Sequence, residues 1–183
     1  MKLLQFKEIK SGAYLNNYEL TYLNSAGQEK IYEIVSHHKL DNAEKLGQKP
    51  SGVSIIATQD DKLLLLHEFR MGINRAIYNL CAGMLEPGET IEACIARELY
   101  EETGLAVKCI KKILPPSFSA VAISDITTYI AFVETTGCIE PHCSANEQIH
   151  AQFYTRNQVL QLLETEPFSS RAQMAAYYYA KEK

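Results

Sequence analysis

The chain predicts an α/β fold, a mixed sheet packed between helices, with an antiparallel β extension at the N-terminus. Three observations carry this. Period-2 alternation of apolar and polar residues dominates the chain before residue 83 and returns after residue 105. One helical segment without Gly or Pro, residues 91–103, stands between the two stretches of alternation. Two more segments of helical composition close the chain. Strands on both sides of one long helix, followed by C-terminal helices, give a sheet covered by helices.

Taken in order, residues 14–23 and 30–37 alternate around the turn signal Asn24-Ser25-Ala26-Gly27 and read as an antiparallel hairpin. Residues 39–51 are polar and contain Gly47 and Pro50, the expected hinge between an N-terminal hairpin subdomain (residues 1–45) and a main domain (residues 46–183). Strands are expected at 53–58 and 63–69, joined by the acidic turn Gln59-Asp60-Asp61, and at 77–82. The helix at 91–103 follows, started by Thr90 and stopped by Gly104. Strands at 106–114, 126–133 and 148–154 complete the sheet. Helices at 157–164 and 171–181 end the chain, the second capped by Ser169 or Ser170. No repeat or low-complexity segment interrupts this order.

At 183 residues and 46% hydrophobic content, the chain can bury one full core. A net charge of −4 supplies no basic footprint, so no nucleic acid polymer is expected as a partner. The N-terminal MKLLQFKEIKSG lacks a signal-peptide core, and no stretch approaches the ~20 apolar residues of a membrane span, so a cytoplasmic location without membrane contact is expected. Five cysteines at irregular spacings, Cys81, Cys94, Cys109, Cys138 and Cys143, argue for reduced thiols. Cys138, His142, Cys143 and His150, with Pro141 stiffening the turn, do not have a strong zinc spacing. His37 and His38, at a strand end, read as surface residues rather than ligands.

The helix at 91–103 carries the chemistry. At about 100° per residue, Ile91, Cys94, Ile95 and Leu99 form an apolar stripe, with Glu98 and Glu102 inside it and Glu101 at its edge. An E-x-x-E-E run on a solvated face would be ordinary, but here the acids point the wrong way. Carboxylates that continue a buried stripe repel one another and lose solvation unless a cation sits among them. Hard oxygen donors select Mg²⁺ or Mn²⁺, and magnesium habitually shares a few carboxylates with substrate phosphates. Arg97 lies four residues from Glu101 and off the stripe, placed to brace the helix or Glu89. Gly83 and Gly88 permit a tight preceding loop.

Residues 83–105 read GMLEPGETIEACIARELYEETGL, which places Gly83, Glu89, Arg97, Glu98, Leu99, Glu101, Glu102, Gly104 and Leu105 on the pattern G-x5-E-x7-R-E-U-x-E-E-x-G-U, with U apolar. Seven fixed residue types give a chance match on the order of 10⁻⁹ per starting position. The segment resembles the signature of the Nudix hydrolases, which cleave nucleoside diphosphates linked to another moiety. The resemblance implies an α/β/α sandwich and a metal site formed by Glu98, Glu101, Glu102 and the Ala82 carbonyl. It also implies catalytic roles for Arg97, Glu89 and Glu101.

Outside the signature, the N-terminal hairpin and the strand ending His67-Glu68-Phe69-Arg70 look like the ADP-ribose pyrophosphatase group. In that group the N-terminal strands often exchange between subunits, so the resemblance implies a homodimer. Arg70 is placed to bind a substrate phosphate, the alternative being a strand-end charge in water. Gly83, Ser124 and Asp125 are the other expected substrate contacts. Ile123-Ser124-Asp125 matches the end of the group's S-P-G-(I/F)-S-D-E loop, but Val121 and Ala122 replace its Pro and Gly, and Ile126 replaces its Glu.

The segment 144–149, SANEQI, resembles the acidic loop that supplies the group's general base. Glu147 is retained, while Ala145 stands where a first acid belongs. Glu147 is either the base, a further metal ligand or an ordinary strand-start residue, with a helix glutamate or Glu140 in reserve. The expected reaction is metal-assisted hydrolysis of a small nucleotide, first ADP-ribose to AMP and ribose 5-phosphate. Tyr14, Tyr18 and Tyr22 are available to stack on adenine. Two alternatives stay open. One is another Nudix substrate: a sugar nucleotide, a damaged nucleoside triphosphate, a dinucleoside polyphosphate or a coenzyme pyrophosphate. The other is a non-catalytic ADP-ribose sensor, although neither an attached DNA-binding domain nor a damaged signature is present.

Overall fold

A computed structural model describes residues 1–140 and 142–181. They fall into two compact units, one made of Met1–Ser51 and Pro116–Thr128, the other of Gly52–Pro115 and Tyr129–Lys183.

In the first unit, β1 (Lys2–Ser11), β2 (Asn16–Leu23) and β3 (Glu29–Ser36) form an antiparallel sheet with β2 in the middle. The expected hairpin is β2–β3. Its turn is closed by the Asn24 side chain, which accepts from the Ala26 and Gln28 amides at 2.9 Å each, with Gly27 at φ 76°. Strand β1 escaped the sequence reading because its register slips between Leu3 and Gln5 and again between Glu8 and Lys10. Each slip breaks the period-2 signal.

Tyr18, Leu20 and Leu40 form this unit's core, with Phe6, Tyr22 and Ile34 packed against it. Tyr18 is therefore not free to stack on a ligand. Its ring lies on Phe6 at 4.9 Å, and its hydroxyl accepts from the Leu40 amide at 2.7 Å. Of the three tyrosines, Tyr14 is the one left widely exposed. His37 and His38 are half-buried rather than at the surface, and burial lowers the His38 pKa. The expected hinge contains a short 3-10 turn, Ala43–Lys45, capped by Asn42.

The second unit holds β4 (Gly52–Gln59), β5 (Lys62–Arg70), β6 (Arg75–Asn79), β7 (Cys81–Met84), β10 (Ile149–Tyr154) and most of β8 (Ala106–Phe118) and β9 (Thr127–Thr136). It also holds the helices α1 (Ile91–Thr103), α2 (Arg156–Thr165) and α3 (Ser170–Lys181). The mixed sheet runs β10-β5-β4-β9-β8, with β6 added on β5 and β7 on β4. The single strand expected at 77–82 is thus two, because its halves pair with different neighbours.

Strand β5 shows why helices cover both faces. Leu63, Leu64, Leu65 and Leu66 are all buried, as expected of a strand with no solvated side. Leu64 and Leu66 join Val53, Ile55, Ala131 and Val133 under Cys94, Ile95 and Leu99 of α1. Leu63 and Leu65 face the other way, onto Val159 of α2 and Ala172, Ala176 and Tyr179 of α3. Period 2 then carries the α1-facing row onward from Leu66 to Glu68 and Arg70. The apolar side of that layer ends in charge. Among the described residues, no helix is long and apolar enough to cross a membrane.

Candidate active site

Helix α1 starts and stops where its caps dictate. The Thr90 hydroxyl accepts from the Ala93 amide at 3.2 Å, and Gly104 at φ 75° returns its amide to the Tyr100 carbonyl at 2.7 Å. With Ile95 and Leu99 fixed in the core, Glu98 and Glu102, one turn apart, open onto a cleft of about 460 Å³. Its lining brings together Glu68 and Arg70 from β5, Ala82 and Gly83 from β7, Glu98 and Glu102 from α1, and Glu147 from the loop before β10.

Glu102 is 7% exposed, and its Oε2 accepts from the Ala82 amide at 3.1 Å. Burial pushes its carboxyl up to about 8, with the negative charges of Glu98 and Glu68 acting in the same direction. Burial also raises Glu98, against the pull of Arg97. Glu98 packs so tightly on β7 that a Cβ at Gly83 would lie 1.7 Å from its carboxyl carbon. Only glycine leaves that carboxylate its place.

Arg97 ties the preceding loop to the helix. Its Nε and Nη2 donate to the two Glu89 oxygens at 2.8 and 2.9 Å, and Nη2 also reaches the Met84 carbonyl at 2.9 Å. Its Nη1 donates to Glu98 at 2.7 Å and Glu101 at 3.2 Å. The paired guanidinium holds the Glu89 carboxyl down to about 2. Glu89 in turn accepts from the Glu86 amide at 3.0 Å, closing the loop on itself. Glu101 differs from the sequence expectation. Its side chain is 50% exposed, turned to Arg97, and absent from the cleft lining.

Glu147 reaches the cleft because Gln148 is fastened to β5, its carbonyl accepting from the Phe69 amide at 3.0 Å. The Glu147 Oε2 accepts from the Ser144 amide at 3.0 Å. The same loop is pinned to the end of α1: the Glu140 amide donates to the Thr103 carbonyl at 2.9 Å and the His142 amide to the Glu101 carbonyl at 2.8 Å. His142 stacks on Tyr100 at 4.6 Å, and the Cys143 thiol lies 3.6 Å from the Glu101 carbonyl. Pro141, expected to stiffen this turn, lies outside the described residues.

Ser124 and Asp125 are buried in the first unit, where Asp125 Oδ2 accepts from the Gly47 amide at 3.1 Å and Ser124 bridges to Val35. Neither lines this cleft. The sequence reading passed over Glu68, which is 5% exposed, accepts from Asn79 Nδ2 at 2.6 Å and pairs with Arg70 at 3.4 Å. Its signal was present in the sequence, as a carboxylate two residues beyond Leu66 on the buried face of β5.

Among the described residues, no three His, Cys, Asp or Glu side chains are gathered as a ready cluster for a metal. The donor set nevertheless fits a hard divalent cation. Glu68, Glu98, Glu102 and Glu147 offer carboxylate oxygens to one cleft, and the burial that raises Glu102 is the penalty a cation would remove.

The NUDIX domain family model matches residues 48–176, well over half the chain. The chain belongs to the Nudix family. Across 181 residues it is 26% identical to an ADP-ribose pyrophosphatase of Bacillus subtilis (strain 168), covering 97% of this chain and 91% of that protein. A local match of 57 residues, 44% identical, relates it to the NAD-capped RNA hydrolase NudC of Vibrio parahaemolyticus, covering 31% of this chain and 22% of that protein. Its fold is similar to that of a solved ADP compounds hydrolase, with a TM-score of 0.71, 19% identity, and 98% and 91% of the two chains covered.

Proposed function

We propose that this chain is a divalent-metal-dependent pyrophosphohydrolase whose first substrate is ADP-ribose, cleaved by water to AMP and ribose 5-phosphate. One observation carries the reading: Glu102, a buried carboxylate pushed up to about 8, shares a cleft with Glu98, Glu68 and Arg70. Such a grouping of acids is tolerable where a cation and a diphosphate are the intended occupants. The likeness to an ADP-ribose pyrophosphatase over nearly the whole chain supports the choice of substrate.

In this reading Glu98, Glu101, Glu102 and the Ala82 carbonyl would hold Mg²⁺ or Mn²⁺. The ion would supply charge neutralisation at the phosphates and a more acidic water. Glu147, steadied by the Ser144 amide, accepts the proton of the attacking water. Arg70 binds a substrate phosphate through its planar fork of donors. Arg97 keeps Glu89 and the loop before α1 in register with Glu98. The catalytic domain of this proposal is residues 46–183, of which 46–51 and Pro116–Thr128 belong to the first compact unit. A cytoplasmic homodimer built through the N-terminal strands belongs to the same proposal, and sedimentation of the full chain tests the dimer.

The local likeness to NAD-capped RNA hydrolases favours a second reading, a dinucleotide such as NAD or its attachment to RNA. One assay separates the two. The chain is incubated with Mg²⁺ or Mn²⁺ and, in parallel, ADP-ribose, NAD, sugar nucleotides, nucleoside triphosphates and NAD-capped RNA. Fastest AMP release from ADP-ribose upholds the first reading. Preference for NAD or capped RNA upholds the second, and inorganic pyrophosphate from triphosphates overturns both.

A further inference from the structure

A chain of hydrogen bonds runs from the start of α3 to the rim of the cleft. The Ala172 amide donates to Ser169 Oγ at 3.3 Å. Ser169 Oγ donates to Asn79 Oδ1 at 2.5 Å. Asn79 Nδ2 donates to Glu68 Oε1 at 2.6 Å, and Arg70 Nη1 donates to Glu68 Oε2 at 3.4 Å.

The direction of each bond is fixed. The Glu68 carboxylate accepts at both oxygens, so Asn79 turns its amino group toward it. The Asn79 carbonyl oxygen then faces Ser169 and can only accept, so the Ser169 hydroxyl donates. Ser169 is itself held on β6, its amide donating to the Tyr78 carbonyl at 3.0 Å, while the Tyr78 amide donates to the Pro167 carbonyl at 2.8 Å. Backbone hydrogen bonds thus anchor this end to β6. At the other end, the Arg70 side chain is 57% exposed and Glu68 only 7%.

We infer that Ser169, Asn79 and Glu68 form a positioning relay that aims the Arg70 guanidinium at a phosphate in the cleft. A long exposed side chain loses much rotamer freedom when it binds, and a fixed carboxylate beneath it reduces that loss beforehand. The donors of Arg70 that do not face Glu68 stay available for phosphate oxygens. Glu68 and Arg70 share one face of β5, so the pairing follows from the strand's own alternation. The inference rests on the proposal that the cleft takes a diphosphate.

The test is calorimetric binding of α,β-methylene ADP, whose bridge is not hydrolysed, in Mg²⁺. The proteins compared are wild type, Arg70→Ala, Asn79→Ala, Glu68→Gln and each of the last two combined with Arg70→Ala. Glu68→Gln keeps an oxygen for Asn79 and the side-chain volume but lacks the second acceptor for Arg70, so it serves even if Asn79→Ala unfolds. Asn79→Ala and Glu68→Gln are each expected to weaken binding about tenfold in the wild type and by less than about twofold in the Arg70→Ala background. A merely structural role would give equal losses in both backgrounds, and that result overturns the relay. Absence of binding by the wild type overturns it as well. Coupling in this assay without turnover of any nucleoside diphosphate compound leaves the relay standing and removes the proposed hydrolysis. Turnover of ADP-ribose without coupling does the reverse.

Discussion

At the scale of single residues, Glu102 links acidity to stability. Its carboxyl is raised from the ordinary 4.5 to about 8 by burial, so its protonated form favours the folded chain. That contribution is whole below pH 4.5 and is lost as the pH rises through about 8. Without metal, the wild type should lose on the order of 3 kcal/mol between pH 5 and pH 9 relative to Glu102→Gln, read as urea unfolding midpoints. The same substitution should lower turnover by at least ~10³-fold while leaving the circular dichroism spectrum unchanged, because it removes charge and keeps shape. Arg97 is the opposite case, a cation whose value lies in its fork. Arg97→Lys keeps the charge but cannot serve both Glu89 oxygens and the Met84 carbonyl together. A destabilisation of about 1–3 kcal/mol is expected, measured by denaturant titration.

At the scale of elements, two glycines on neighbouring strands make contrasting predictions. A Cβ on Gly52 would lie 2.0 Å from the Gly83 carbonyl oxygen, backbone that cannot move without opening the β4–β7 pairing. Gly52→Ala should therefore cost about 2–4 kcal/mol in thermal unfolding. A Cβ on Gly83 meets the end of the Glu98 side chain, which can swing aside. Gly83→Ala should leave the melting temperature within a few degrees and reduce activity more than ~10-fold, and equal effects in the two variants would contradict this account.

Legibility in the sequence follows the same division. The bounds of α1 were readable because Thr90 and Gly104 act locally. The α1 carboxylates Glu98 and Glu102, on the helix's buried stripe, were readable from helical spacing alone. Strand β1 was hidden by its register slips. The alternation of β5 marks Glu68 as inward-facing, but its partners, Asn79 on the neighbouring β6 and Ile149 on the distant β10, come from strand pairings that alternation does not reveal. The outward turn of Glu101 depends on Arg97, and spacing along the helix does not reveal which acid the guanidinium will claim.

At the scale of the whole molecule, the proposed function couples folding to cation binding at the cleft's acids. A ligand present at 100 times its dissociation constant stabilises by about 2.7 kcal/mol, so saturating Mg²⁺ should raise the melting temperature by several degrees. Glu102→Gln should lose most of that increment, and a wild type indifferent to Mg²⁺ and Mn²⁺ would remove the metal from the proposed function. Calcium with a comparable effect would indicate a hard-oxygen site without magnesium's stricter geometry.

Strand β5 also acts as a ruler. Its alternation sends Leu64 and Leu66 under α1, Leu63 and Leu65 under the C-terminal helices, and Glu68 and Arg70 to the mouth of the cleft. An insertion of one residue between Leu66 and His67 would leave both cores intact yet exchange inside for outside at the strand's end, presenting His67 and Phe69 to the cleft instead. Relatives that differ in loop length should tolerate indels on either side of this strand but not within it. Anyone transplanting the pocket into another scaffold must carry the whole strand in phase.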